Sequence, residues 1–300
     1  MPRKSVDNNF AELLCSLLPL GLTSSSVDDI VQFTVDNIDA GKLSCNDYSP
    51  WFDDLCCRKP KMVEKYMATW YEQSLPWSSV EKVILAGKYD AAYPEIVQLN
   101  QGLDIKEKKS DVYILGTLKG TDDSVWFGLS VKASKKCPIT NYSIEKILPE
   151  SDDCRPLCKA ILQGAGFAAF TKETRVPCNE LFYNKDNAYW LHLENLIETH
   201  SDILMAEVAK GIISENTPYN VFEFDGHSFI DIKSINLEGA VLQPSETFSK
   251  KKSGTPRRAA KLWYEIVKDG QILYKVEIRW KGNMFTASPQ MITEKHYTCQ

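Results

Sequence analysis

The chain has 300 residues, 43% hydrophobic and 25% charged, with a formal net charge of -5. This composition excludes collagen-like, low-complexity and disordered classes. No apolar run approaches the ~18 residues of a membrane helix, so a soluble globular protein with no membrane partner is expected. The amino-terminal run around Phe10, Leu13, Leu14, Leu17 and Leu18 has helical spacing and is broken by Asp7 and Glu12, so it reads as an amphipathic helix rather than a leader. Nine scattered cysteines, an odd number with no CxxC pair, favour a reducing, intracellular (cytoplasmic) setting. None of the four histidines joins a cysteine in a zinc-like spacing.

In chain order, the periodicity predicts helices over Phe10–Leu18, Val27–Asp39, Lys61–Leu75, Ser79–Leu85 and Tyr93–Leu103. At Asp111 the period changes. Asp111–Leu118 and Val125–Lys132 are rich in β-branched and aromatic residues and flank the turn former Gly120-Thr-Asp-Asp-Ser124, a β-hairpin pattern. Helices are expected again over Asn141–Leu148, Arg155–Gln163 and Asn187–Ser214. Strands follow at Val221–Phe224, Ser228–Ile232, Leu262–Val267 and Ile272–Trp280, the last two around Asp269-Gly270. The expected fold is α/β, leaning to α+β, with a mixed central β-sheet flanked by helices. A single domain over 1–300 is expected. Its sections are a helical front (1–105), the hairpin and following helices (106–165), and a helical and β-hairpin part with a basic end (166–300). Neither GxxxxGK[ST] nor GxGxxG occurs.

The hairpin carries the polar constellation. Centred on Thr121/Asp122, it would set Asp111 opposite Lys132 and Tyr113 opposite Ser130, with Ser130 and Lys132 on one face. A carboxylate there can hold a hard divalent cation, the Val131 carbonyl can add a ligand, and the lysine can orient a water.

Asp111, eighteen intervening residues, then Ser130-Val-Lys132 resembles the PD-(D/E)xK nuclease motif, and most resembles its type II restriction endonucleases. Ser110 stands where the motif has proline, and Ser130 where it has its second acid. The resemblance covers residues 111–136 and implies a restriction-endonuclease-like core, Mg²⁺ as cofactor and double-stranded DNA as substrate. It implies Asp111, Ser130 and Lys132 as catalytic residues and Asp111 and Val131 as metal ligands. A further acid from a preceding helix is expected, with Glu95 the choice over Glu81 and Glu72.

The basic residues suggest the DNA partner. Residues 250–300 hold eleven Lys and Arg against four Asp and Glu, which puts +7 there and leaves -12 on the rest. Lys250, Lys251 and Lys252 suit phosphates, while Arg257, Arg258, Arg279 and Lys281 are candidates for base edges. Lys135, Lys136 and Asn141 follow the motif and join the expected DNA contacts. The expected function is sequence-specific, Mg²⁺-dependent endonucleolytic cleavage of duplex DNA, with a homodimer natural on palindromic sites. The alternative is a catalytically inactive DNA- or protein-binding module on the same scaffold. His192, His200 and His227 are read as core or surface residues.

Overall fold

The computed structural model describes residues 3–45, 60–87, 90–103, 110–132, 138–144, 147–168, 171, 173–183, 186–213, 216–245, 261–281 and 288–295. The chain divides into two compact units, rather than forming the single three-section domain expected from sequence. The first comprises 1–137, 213–236 and 299–300, and the second 138–212 and 237–298. The polypeptide thus leaves the first unit after β4 and returns to it for β6. The α/β expectation holds: a mixed six-stranded sheet is flanked by helices.

In the first unit the order across the sheet is β1-β2-β3-β4-β6-β7, formed by Leu43–Cys45, Trp77–Leu85, Val112–Leu118, Ser124–Val131, Asn220–Phe224 and Phe229–Asp231. Strands β2, β3 and β4 form an antiparallel meander, whereas β1 runs parallel to β2 and β6 parallel to β4. Side chains alternate between two apolar layers. Val112, Ile114, Phe127, Leu129, Val131, Phe222 and Phe224 face helices α1 (Arg3–Leu17), α2 (Val27–Asp39) and α3 (Pro60–Tyr71), which contribute Leu14, Ile30, Tyr66 and Trp70. Trp70, Trp77, Phe127, Phe222, Phe224 and Phe229 pack there with ring centroids 4.8–6.4 Å apart. Ile84, Tyr113 and Val221 face the other way, toward Ile96 of α4 (Pro94–Leu99) and Tyr219. On that face Asn100 donates to Tyr113 Oη at 2.8 Å and accepts from Tyr219 Oη at 2.7 Å, so three buried polar groups satisfy one another.

Two expected helices are strands. Ser79–Leu85 lies within β2, whose pairing with β3 shifts register between Trp77 and Ser79 and again between Val80 and Lys82. Each bulge slips the alternation by one residue, so Val80, Val83 and Ile84 imitate helical spacing. Asn141–Leu148 begins instead as β5 (Pro138–Ser143), drawn into a sheet by the distant β11 (Ser288–Lys295). Pro138 opens that strand at the sheet edge, where a missing N–H costs least.

The second unit is a five-stranded antiparallel sheet in the order β5-β11-β10-β9-β8, with β8 Val241–Pro244, β9 Lys261–Lys268 and β10 Gln271–Lys281. Asp269 and Gly270 both have positive φ, 51° and 76°, as the expected tight hairpin turn requires. Helices α5 (Cys154–Gly164), α6 (Arg175–Glu180), α7 (Ala188–Thr199) and α8 (Ser201–Ile212) complete it, the expected long helix over 187–214 being broken at His200. Among the described residues, no helix is long and apolar enough to cross a membrane.

Candidate active site

One rim of the first sheet gathers the polar residues, because the C-terminal ends of β2, β4 and β6 meet the N-terminal end of β3 there. The amides of Ala86 and Gly87 donate to the Asp111 carbonyl at 3.1 and 2.8 Å, and the Asp111 amide donates to Leu129. The backbone of Asp111 is therefore held by strands on both sides. Its side chain turns back over β4, where Oδ2 accepts the Val131 amide at 2.8 Å. Val131 thus meets Asp111 through its N–H, whereas the sequence reading assigned its carbonyl to a metal.

The hairpin register differs from the one expected. Val112 pairs with Leu129 and Tyr113 with Gly128, and the Asp111 amide also donates to Leu129, so Asp111 is not opposite Lys132 and Tyr113 does not oppose Ser130. Leu118 donates to the Asp123 carbonyl and Gly120 adopts a φ of 82°, which centres the turn earlier than Thr121/Asp122. Asp111 and Val112 both stand against Leu129, a bulge, and with Ser110 on the Gly128 side Asp111 turns toward α1, away from the face that carries Ser130 and Lys132.

Lys132 is fixed at every level. Its amide donates to Phe224 at 2.8 Å, continuing the β4–β6 ladder, and its carbonyl accepts from Tyr66 Oη at 2.8 Å. Its Nζ donates to Ser130 Oγ at 2.8 Å. Tyr66 is itself set by the close approach of Gly226, whose α-carbon lies under the phenol ring where any side chain would overlap.

The upstream acid is not Glu95. That residue, on α4, pairs with Lys82 at 2.7 Å, and Lys82 lies opposite Leu115, well along β3 from Asp111. The ammonium of Lys82 holds the Glu95 carboxyl below its ordinary range. Glu81 accepts from Ser124 Oγ at the turn end of the hairpin, and Glu72 is exposed just beyond α3. Glu12 of α1 comes to this rim instead. Its Oε2 lies 3.2 Å from where a Cβ on Gly87 would stand, and Gly87 is the residue donating to Asp111. The buried thiol of Cys15, one turn along α1, is pushed well above its ordinary range by desolvation and then by the charges of Glu12 and Asp111. No spacing relates Glu12 to the motif; the one sequence signal is an acid inside an otherwise apolar helix face.

Glu223 lies on β6, on the face of the sheet away from α1. It is in register with Ser130 and buried. Among the described residues, no three of His, Cys, Asp and Glu gather as a ligand cage. Mg²⁺ asks for less, one or two carboxylates with water completing its shell. The Asp111 carboxylate and Glu12, on the α1 side of the rim, are oxygen donors of the kind it takes.

Arg279 and Lys281 lie on β10 and Asn141 on β5, all in the second unit. Lys135, Lys136, Lys250, Lys251, Lys252, Arg257 and Arg258 lie outside the described residues. His227 is exposed and hydrogen-bonds Lys65, while His192 and His200 belong to the second unit. Comparison of the chain with protein-family models, curated proteins and solved structures finds no match.

Proposed function

We propose that the chain is a Mg²⁺-dependent endonuclease of the PD-(D/E)xK class, hydrolysing phosphodiester bonds of duplex DNA in a sequence-specific manner, most like a type II restriction endonuclease. The observation that carries this reading is the meander β2-β3-β4, with Asp111 just before β3 accepting the Val131 amide of β4 and, one residue on, Lys132 Nζ resting on Ser130 Oγ. Asp111 and Glu12 are the carboxylates that would hold the ion. Bound there, Mg²⁺ supplies charge against the phosphate and lowers the pKa of a coordinated water. Lys132 directs its ammonium toward the attacking water and the phosphate oxygens, and its pinned backbone limits how far that charge can stray. Ser130 holds Nζ in place without neutralising it.

The free thiols of Cys15, Cys45 and Cys178 suit a reducing, cytoplasmic location. The basic segments of 250–258 and the cations of β10 would meet DNA, and a homodimer would match palindromic sites. The test is incubation with long unmethylated duplex DNA, with and without Mg²⁺. Discrete fragments are expected from the wild type with Mg²⁺ alone, and none from Asp111→Asn. Intact DNA throughout would overturn the reading.

The serine in the acid's place favours one second reading, a non-catalytic binding module on the same scaffold. Retained DNA binding without cleavage in that assay would select it.

A further inference from the structure

We propose that Tyr66 is a positioning residue for the reaction, setting the motif lysine through its main chain; this rests on the nuclease reading above. Strand β4 ends at Val131, and the Lys132 amide still donates to the Phe224 carbonyl of β6. In a parallel ladder a residue that donates to Phe224 would accept, through its own carbonyl, from the amide of Gly226. The chain turns before it can offer that amide. Asp225 Oδ1 accepts from the amides of His227 and Ser228, each at 2.8 Å, and Gly226 adopts a φ of 73°. Tyr66 Oη donates to the Lys132 carbonyl at 2.8 Å, in place of the missing rung.

The direction of that hydroxyl is set by packing. Tyr66 is 2% exposed, its ring meets Phe224 edge-on with centroids 5.3 Å apart, and the α-carbon of Gly226 closes against it. Tyr66, Phe224 and Val131 belong to the aromatic core, whereas Ser130 and Lys132 leave the sheet by the other face. Helix α3 therefore reaches the lysine from behind, at its main chain, while Ser130 Oγ takes the ammonium in front. Without a donor on its carbonyl the end of β4 is free to fray, and Nζ moves with it. A displacement of about 1 Å at a reacting group costs on the order of 10²-fold in rate.

Tyr66→Phe removes the hydroxyl and keeps the ring, and circular dichroism checks that the variant folds. Thr69→Val is the matched control, because Thr69 Oγ1, on the same helix, donates to the Gly226 carbonyl at 3.1 Å and so bonds the turn rather than Lys132. Two measurements are made on the full chain: Mg²⁺-dependent cleavage of long duplex DNA over a range of DNA concentrations, and amide hydrogen exchange at Lys132. In Tyr66→Phe the cleavage rate at saturating duplex should fall about 10- to 100-fold with the half-saturating concentration within about threefold of wild type. Exchange at Lys132 should be at least about tenfold faster. Thr69→Val should leave the rate and the Lys132 exchange within about threefold of wild type. Cleavage by Tyr66→Phe at the wild-type rate, or equal effects in the two variants, would overturn the positioning role and leave the nuclease reading standing. Wild-type protein that does not cleave, with Lys132 loosened in Tyr66→Phe alone, would bring down the nuclease reading while the hold of Tyr66 on Lys132 stood.

Discussion

Lysines on the two sheets are handled in opposite ways. In the second unit Lys261 meets Glu277 at 2.6 Å and Lys275 meets Glu265 at 3.3 Å, both across the β9–β10 pair. Lys261 also lies 5.4 Å from the Trp263 ring centroid. Each cation there is neutralised by a carboxylate on the next strand. In the first unit Lys132 Nζ is held by a hydroxyl, and among the described residues no ion pair engages it. The Asp111 carboxylate takes a backbone amide. A neutralised pair on a half-buried face serves packing, whereas a lysine held only by a hydroxyl at a sheet rim leaves its ammonium to meet an anion from outside.

The comparison breaks most visibly at the lysines themselves. Lys132→Ala should lower Mg²⁺-dependent cleavage by about 10²- to 10⁴-fold, with urea-unfolding stability moved by less than about 1 kcal/mol. Lys275→Ala should leave cleavage within a few-fold of wild type, and equal losses in both would erase the distinction drawn between the sheets. Next in size, Lys261→Met leaves Glu277, whose side chain is 7% exposed, without its cation. It should cost about 3 kcal/mol in urea unfolding, while the double replacement Lys261→Met/Glu277→Leu recovers most of that. A single variant as stable as wild type would show that the pair does not hold the second sheet.

The same contrast explains what could be read from sequence. The motif strands, the Asp269-Gly270 turn and the helices over Val27–Asp39 and Arg155–Gln163 depend on local periodicity and turn chemistry, and these are written in adjacent residues. Elements made by distant partners were not legible. β5 is a strand because β11 pairs with it from about 150 residues away, and β2 reads as a helix because two bulges scramble its alternation. Asp111, Ser130 and Lys132 are legible as candidates because one hairpin carries all three. Glu12 arrives from α1, so no spacing relates it to the motif. Glu95 was chosen for its place on a helix before β3, but the nearer cation Lys82 takes its carboxylate.

A smaller effect sharpens the comparison through pH. Burial lifts the Cys45 thiol, next to the rim strand β2, from 9.0 to about 11. The folded chain then holds this proton more tightly than the unfolded chain does. Its contribution is therefore fully present below pH 9.0 and is lost as pH rises toward about 11, a falling stability with rising pH. Urea unfolding across that window should show the decline, and Cys45→Ala should flatten it. An unchanged slope in the variant would place the alkaline loss elsewhere in the chain.

The smallest expected effect concerns Ser110, which precedes Asp111 where the motif has proline. Its hydroxyl is buried against the α-carbon of Gly128, so close that a methyl group on that glycine would overlap it. It finds no hydrogen-bond partner among the described residues. A buried hydroxyl without a partner forfeits its hydration and gains nothing in exchange. Unlike the hydroxyl of Ser130, which holds the Lys132 ammonium, this one does nothing for the chemistry that the rim is proposed to perform. Ser110→Ala should leave cleavage unchanged and raise unfolding free energy by up to about 1 kcal/mol, since the methyl group fits the space and an unpaired polar atom is removed. Ser130→Ala, by contrast, frees the Lys132 side chain and should lower cleavage. If Ser110→Ala lost cleavage at unchanged stability, the division of the rim into a working serine and an idle one would be wrong, and Ser110 would have to be counted with Asp111.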